Sequence, residues 1–248
     1  MGFMNSAPWR TARVSNPISS DTRGVTIQAC KHCGSGAPPD AHFCPQCEKI
    51  LSVTRHGDYF TFFGLPRKLR IDPEELERRF RGLSRQFHPD YYYNASPAER
   101  LASLERSSYL NDAYRVLRQP LERVEYLLRI EGVLPKDRRE QVKQVPAGLL
   151  EEVFALNEEL DLIHSARAAG AGRAEVRARL AAARRPIEAK AADHDRRLGQ
   201  LMDQWDREVD GRVPAADRHK TLEALRTLLL ERTYVDNLLA TLQREEAE

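Results

Sequence analysis

All four cysteines of the chain fall between positions 30 and 47, as Cys30-Lys-His-Cys33 and Cys44-Pro-Gln-Cys47. A Cys-x-x-Cys turn holds two sulfurs on one side of the backbone, and two such turns facing each other complete a tetrahedral thiolate site. The spacing predicts one structural zinc ion held by Cys30, Cys33, Cys44 and Cys47, stabilising a segment too small to bury a core of its own. Four protein ligands leave no open coordination position, so zinc catalysis is not expected. His32 and His42 are not needed as ligands and are expected to face solvent. The rival chemistry is that of a thiol oxidoreductase, but a dithiol site needs only one pair, set at a helix start in an α/β fold. A disulfide framework would spread its cysteines through the domain it staples.

The second constellation is His88-Pro89-Asp90. Such a short string recurs by chance, so its meaning depends on the elements around it. Asp72-Pro73-Glu74-Glu75 opens a helix, with Asp72 as cap, Pro73 in the first helical position and Glu75 placed to close a capping box. Leu76, Phe80, Leu83 and Phe87 give it one apolar stripe, and the stripe stops before Pro89 because a residue preceding proline is pushed out of the helical region. Ser96-Pro97-Ala98-Glu99 starts the next helix in the same way, with Leu101, Leu104, Leu110, Ala113, Tyr114 and Leu117 as its buried positions. A short helix over 58–63, stopped at Gly64, precedes this pair, and a fourth over Leu121–Ile130 turns Val124, Leu127 and Leu128 inward. Pro89 stiffens the turn between the long helices, so His88 and Asp90 are presented with little entropy left to lose on binding. Arg78, Arg79, Arg81 and Arg85 lie on the helix leading into that turn, largely off its apolar stripe.

Beyond a polar linker over 132–145, a second helical region begins at Pro146. Leu149, Val153, Leu156, Leu160 and Ile163 recur at about 100° per residue and form a core stripe. Leu150 and Phe154 stand well off that stripe, on a second face continued by Glu158. A small bundle cannot bury both faces of one helix, so this face is expected to remain for a partner. After a loose connection over 168–172, helical composition resumes at Glu175 and is expected to kink or break at Pro186. Leu198, Leu201, Met202, Trp205 and Val209 follow at helical spacing. Gly211–Pro214 turns the chain, and a last helix from Asp217 carries Leu222, Leu225, Leu229, Leu238 and Leu242. No internal repeat is found, and no strand is expected outside the cysteine module. The fold class is all-α, a helical hairpin with short flanking helices and a C-terminal bundle.

Composition narrows the function. Lys and Arg (39) nearly balance Asp and Glu (37), so no global field calls for nucleic acid. A nucleic-acid-binding zinc ribbon would need a basic patch, and Lys31 and Lys49 alone make a poor one. No apolar run approaches the roughly 18–20 residues of a membrane span. Residues 1–24 carry no acid before Asp21 and no apolar run of a secretory signal. They read as a disordered tail, although their composition would tolerate a mitochondrial transit peptide.

The stretch from Tyr59 to Gly132 resembles a J-domain. A short aromatic helix ends in Phe63-Gly64-Leu65, a basic amphipathic helix leads to His88-Pro89-Asp90, and the next helix carries Asn111-Asp112-Ala113-Tyr114. General DnaJ-type proteins continue with a Gly/Phe-rich stretch and a β-rich client domain, and neither is present. The helical region that follows is similar instead to the HscB-type co-chaperones of iron–sulfur cluster assembly, over Asp58 to about Leu242. The four-cysteine module, down to Phe43-Cys44-Pro45-Gln46-Cys47, resembles the zinc-binding extension of some members.

The resemblance implies a non-enzymatic co-chaperone with two partners, a DnaK/HscA-class ATPase chaperone and an iron–sulfur scaffold protein. It assigns chaperone binding to His88, Pro89, Asp90 and the arginines at 78, 79, 81 and 85, and scaffold binding to Leu150, Phe154, Glu158 and Tyr234. Its compartment would be the bacterial cytoplasm or, alternatively, the mitochondrial matrix. A J-protein serving another client is the nearest rival. The implied domains are a tail (1–24), a zinc module (25–55), a J-domain (57–131), a linker (132–145) and a scaffold-binding domain (146–248). Three departures from the family's pattern stand out. Tyr91-Tyr92-Tyr93 follow the tripeptide where a basic residue is usual, Glu151 replaces an apolar residue, and Ala155 replaces an acid.

Overall fold

Two hydrophobic cores are threaded on one pair of long helices. The computed structural model describes residues 27–38, 40–52, 57–134 and 147–247. The tail, most of the linker and Pro146 lie outside the described residues. A two-stranded antiparallel sheet, β1 (Gln28–Ala29) and β2 (Gly36–Ala37), opens the chain. Helices α1 (Tyr59–Phe62), α2 (Pro73–Phe87), α3 (Pro97–Arg118) and α4 (Pro120–Ile130) follow, with a 3-10 turn at Pro89–Tyr92. Then come α5 (Leu150–Ala168), α6 (Arg173–Asp210) and α7 (Ala215–Ala247).

Local signals start and stop these helices. The Asp58 carboxylate accepts the Thr61 N–H to cap α1, and Gly64 takes φ +64°, a left-handed turn that an L side chain would strain. Ser96 and Glu99 close the predicted capping box on α3. The one expected at Asp72 does not form. Asp72 accepts from the Glu74 N–H, while Glu75 is taken by Arg78 and Arg79.

The first core joins α1–α4 through Phe60, Leu69, Leu76, Phe87, Leu110, Leu117 and Leu127, all nearly inaccessible. It also takes in Leu198, Met202 and Trp205 of α6 with Leu222, Leu225 and Leu228 of α7. Polar contacts fix this docking: both Asp206 carboxylate oxygens accept backbone N–H groups, those of Leu69 (2.6 Å) and Arg70 (2.8 Å), and Trp205 Nε1 donates to the Arg67 carbonyl. The second core unites α5 with the other halves of α6 and α7 through Leu149, Leu156, Leu160, Ile163, Leu180, Ile187, Val235 and Leu242. Between the two cores sits His194, 1% exposed, with Glu231 at 3.2 Å.

Two further expectations are corrected. Leu101 and Leu104 are more than half exposed, and α3 buries Ala102, Ser103 and Arg106 in their place. That flank meets the end of α2 and the cysteine module, where polar and small side chains are needed, so counting apolar residues picked the wrong side. Of the kink or break expected at Pro186, the break does not occur, because α6 is one helix across it. Packing of Leu180, Ile187 and Ala191 into the second core outweighs the one hydrogen bond that proline removes.

Candidate functional site

The cysteine module consists of two turns of the same design. In the first, the Gly34 N–H donates to the Cys30 carbonyl (2.8 Å) and the Cys30 N–H to the Ser35 carbonyl (2.8 Å). In the second, the Glu48 N–H donates to Cys44 (2.9 Å) and the Cys44 N–H to Lys49 (2.8 Å). Gly34 and Glu48, each just after the second cysteine of its pair, both adopt positive φ. The β1–β2 pairing flanks the first turn, and an isolated bridge between Phe43 and Ile50 flanks the second. Neither turn opens a helix, so the helix-terminus device that activates a redox dithiol is missing from the described residues.

The turns face each other. The sulfur–sulfur distances Cys30–Cys47 and Cys33–Cys44 are both 3.7 Å, and all four sulfurs lie within 4.8 Å of one another. Four thiolates at about 2.3 Å from a central zinc would stand about 3.8 Å apart, so the cluster is the size of a tetrahedral metal site. Ser35 Oγ lies 3.1 Å from Cys33 Sγ and 3.2 Å from Cys44 Sγ. Its hydroxyl, together with backbone N–H groups, pulls the Cys33 thiol below its usual range and the Cys44 thiol down to about 6. The Lys49 N–H favours the Cys47 thiolate more than any other single group, but burial and three sulfur neighbours together move this thiol the other way, to about 12. Four ionised sulfurs this close repel one another, and a dication is what relieves that repulsion.

The module is fastened to the helices by a residue the sequence reading passed over. Arg106 of α3 is 3% exposed and donates to the carbonyls of Leu51 (2.5 Å), Ala41 (3.1 Å) and Ser52 (3.2 Å), and to His42 Nδ1 (2.7 Å). His42 was expected in solvent. It is instead packed edge-on against Phe62 and Phe87, with Nε2 donating to the Phe62 carbonyl. Burial first, then the Arg106 charge, pushes its pKa down to about 4, so it stays a neutral bridge. An arginine in register with Ala102, Leu110 and Ala113 was the available signal. His32 is exposed, as expected, and Lys49 pairs with Glu99 at 2.9 Å.

His88-Pro89-Asp90 stands at the junction of α2 and α3. His88 Nδ1 accepts the Asp90 N–H at 3.3 Å, which leaves Nε2 as the protonated nitrogen of the neutral ring. The His88 and Asp90 side chains are 52% and 87% exposed. The ground beneath them is firm. Ser103 and Ser107 hydroxyls both donate to the Phe87 carbonyl, and the Tyr92 hydroxyl donates to the Gln86 carbonyl. Tyr91 and Tyr93 project outward, more than 70% exposed.

The four arginines divide. Arg79 Nη1 donates to the carbonyls of Phe63 (2.8 Å) and Gly64 (2.7 Å), tying α2 to the end of α1. Arg78 pairs with Glu75, Arg81 pairs with Glu77, and Arg85 is exposed without a partner among the described residues. Leu149 at the N-cap of α5 and Leu156, Leu160 and Ile163 along it are buried, Val153 is half-buried, and Leu150 and Phe154 are 40% and 65% exposed beside an exposed Glu158. Leu162, 52% exposed, lies one further turn along. Tyr234 is half-buried against the second core, and no ring contact links it to Phe154 among the described residues.

No helix among the described residues is long and apolar enough to cross a membrane. No protein-family model matches the sequence. Solved structures do. The crystal structure of human co-chaperone protein HscB superposes with a TM-score of 0.60 at 25% identity, covering 88% of this chain and 98% of that one. Chaperone HscB from Vibrio cholerae superposes with a TM-score of 0.55 at 28% identity, covering 77% of this chain and 98% of its own. The chain has the all-α fold of the HscB-type J-domain co-chaperones, with a four-cysteine cluster able to hold a metal ion ahead of its helical hairpin.

Proposed function

We propose that the chain is a co-chaperone of iron–sulfur cluster assembly that binds a cluster scaffold protein, delivers it to a DnaK/HscA-class chaperone and stimulates that chaperone's ATPase. The observation that carries the reading is the exposed Leu150 and Phe154 on α5, in a chain that also exposes His88 and Asp90 on a braced turn. An apolar face without a covering element is a binding surface in waiting. The scaffold is assigned to Leu150, Phe154 and Glu158, with Tyr234 at the margin. The chaperone is assigned to His88, Pro89 and Asp90, with Arg78, Arg81 and Arg85 steering the encounter. Arg79 acts in this scheme by bracing α1 against α2. The likeness to the human and Vibrio cholerae proteins supports a co-chaperone that performs no covalent chemistry itself.

The cysteine cluster is assigned one structural zinc ion, with Cys30, Cys33, Cys44 and Cys47 as ligands and Ser35 supporting two of them. When bound, the ion supplies cross-linking and charge neutralisation. The compartment is taken as the bacterial cytoplasm, with the mitochondrial matrix as the alternative. The partition into a zinc module, a J-domain and a scaffold-binding domain is part of the same reading.

Isothermal calorimetry with a purified iron–sulfur scaffold tests it. Micromolar binding that weakens at least about tenfold in Phe154→Ala is expected, since truncating an anchoring aromatic costs more than ~1.4 kcal/mol. Chaperone ATPase should rise on addition of the chain and fail to rise with His88→Gln. Absence of binding to a folded scaffold would remove the iron–sulfur assignment, and stimulation that survives His88→Gln would remove the J-domain one.

A further inference from the structure

Next to the Leu150/Phe154 face, α5 and α6 part to leave a groove of about 810 Å³. Its floor is built from small apolar residues: Ala155 of α5 and Ala178 and Ala182 of α6 are exposed there, over buried Leu156 and Ile187. Its rim is acidic. Of the four glutamates lining it, Glu152 is paired with Lys190 and Glu159 with Arg179, both at 2.8 Å. Glu151 and Glu175 are exposed and carry no partner among the described residues. Pro186 also lines the groove and has no N–H to give the Ala182 carbonyl one turn before it. Apart from Arg179, which is committed to Glu159, the charged and polar groups of the walls therefore accept rather than donate. Both departures noted on α5, Glu151 and Ala155, fall in this groove. One supplies an open acceptor, and the other removes the bulk and charge that would fill the floor.

We infer that the α5–α6 groove is a docking cleft for a basic, small-residue-rich segment of the polypeptide held on the Leu150/Phe154 face. Alanine walls admit a close backbone approach, and the two unpaired glutamates select Lys or Arg on the incoming segment. The inference rests on the proposed function for the identity of that polypeptide, though not for the chemistry of the segment. A salt-sensitive contribution to binding follows, because the rim charges are exposed.

The test uses the full chain with a short labelled amphipathic peptide of Leu, Ala and Lys, and its counterpart with Glu in place of Lys. The basic peptide is expected to bind at low salt, to weaken roughly fivefold to tenfold in Glu151→Lys/Glu175→Lys, and to weaken similarly in Ala182→Trp, which fills the floor. Circular dichroism confirms that the variants fold, and Glu125→Lys on α4 is the distant control. Equal binding of the acidic peptide, wild-type affinity in both groove variants, or no binding of the basic peptide would overturn the proposal. The scaffold protein separates this proposal from the one before. A scaffold that binds and depends on Phe154 but ignores both groove variants sinks the groove alone. A scaffold that does not bind, beside a peptide that behaves as expected, sinks the iron–sulfur client and leaves the cleft standing.

Discussion

Replacing Arg106 by Met should loosen the cysteine module from the helices while sparing the bundle. The guanidinium serves three backbone carbonyls and one imidazole nitrogen in a nearly inaccessible position, with no carboxylate partner among the described residues. Burial has already lowered its pKa to about 10, so part of its desolvation cost is recovered when it is removed. The guanidinium lies over the Phe62 and Phe87 rings, 5.9 and 5.5 Å from their centroids, and methionine keeps that packing but leaves three carbonyls without donors. At the low end of about 1 kcal/mol per unsatisfied buried acceptor, the docked state loses about 3 kcal/mol. That raises the opening equilibrium by roughly two orders of magnitude. Hydrogen exchange in chelator-treated protein, where no ion can hold the loop, reads this directly. The segment over 40–52 should exchange roughly a hundredfold faster, and the segment over 150–168 should keep its wild-type rate. Unchanged exchange over 40–52 would refute the idea that Arg106 fastens the module.

Three further outcomes are expected. Leu104→Ala should cost less than about 0.5 kcal/mol and Leu110→Ala about 2–4 kcal/mol, and equal melting shifts would restore Leu104 to the core. Asp206→Ala strands the Leu69 and Arg70 N–H groups, for about 3 kcal/mol or roughly a 6–12 °C fall in Tm. A shift under about 2 °C would contradict the docking described for α6. His194 has a folded pKa below the usual imidazole range, chiefly from burial and despite Glu231, with Arg197 and Lys190 pushing the same way as burial and Asp193 opposing. The stability it permits is therefore full above about pH 6.5 and is lost as the pH falls towards the folded value, where the unfolded chain binds the extra proton. Thermal melts between pH 7.5 and 5 should fall less steeply for His194→Gln than for wild type, with His42 contributing the same sign in both. Parallel slopes would exclude His194 as the source.

The sequence was most legible where one residue type has one use. Two cysteine pairs, a proline after a histidine, and a capping serine three residues before a glutamate each constrain geometry by their own chemistry, and each produced the expected local structure. The exposed α5 face was also readable, because Leu150 and Phe154 fall outside a stripe that already fills the core. Reading failed where side chains are chosen for a neighbour distant in sequence. Ala102, Ser103 and Arg106 look like a solvated face until the end of α2 and the cysteine loop are brought against them. His42 looks like a surface residue until Phe62, Phe87 and Arg106 enclose it. Pro186 looks like a breaker because local hydrogen bonding is all a sequence displays, whereas the burial that overrides it comes from α5 and α7.

The two long helices make the spacing between the His88 turn and the α5 face a matter of helix rise. At about 1.5 Å and 100° per residue, one residue inserted into α6 between the cores would swing one face around the other by more than a quarter turn. It would also displace His194 from Glu231 unless α7 changed in step. The long pair acts as a ruler, and the bearing of the α5 face relative to the His88-Pro89-Asp90 turn is set by the count of residues between the two cores.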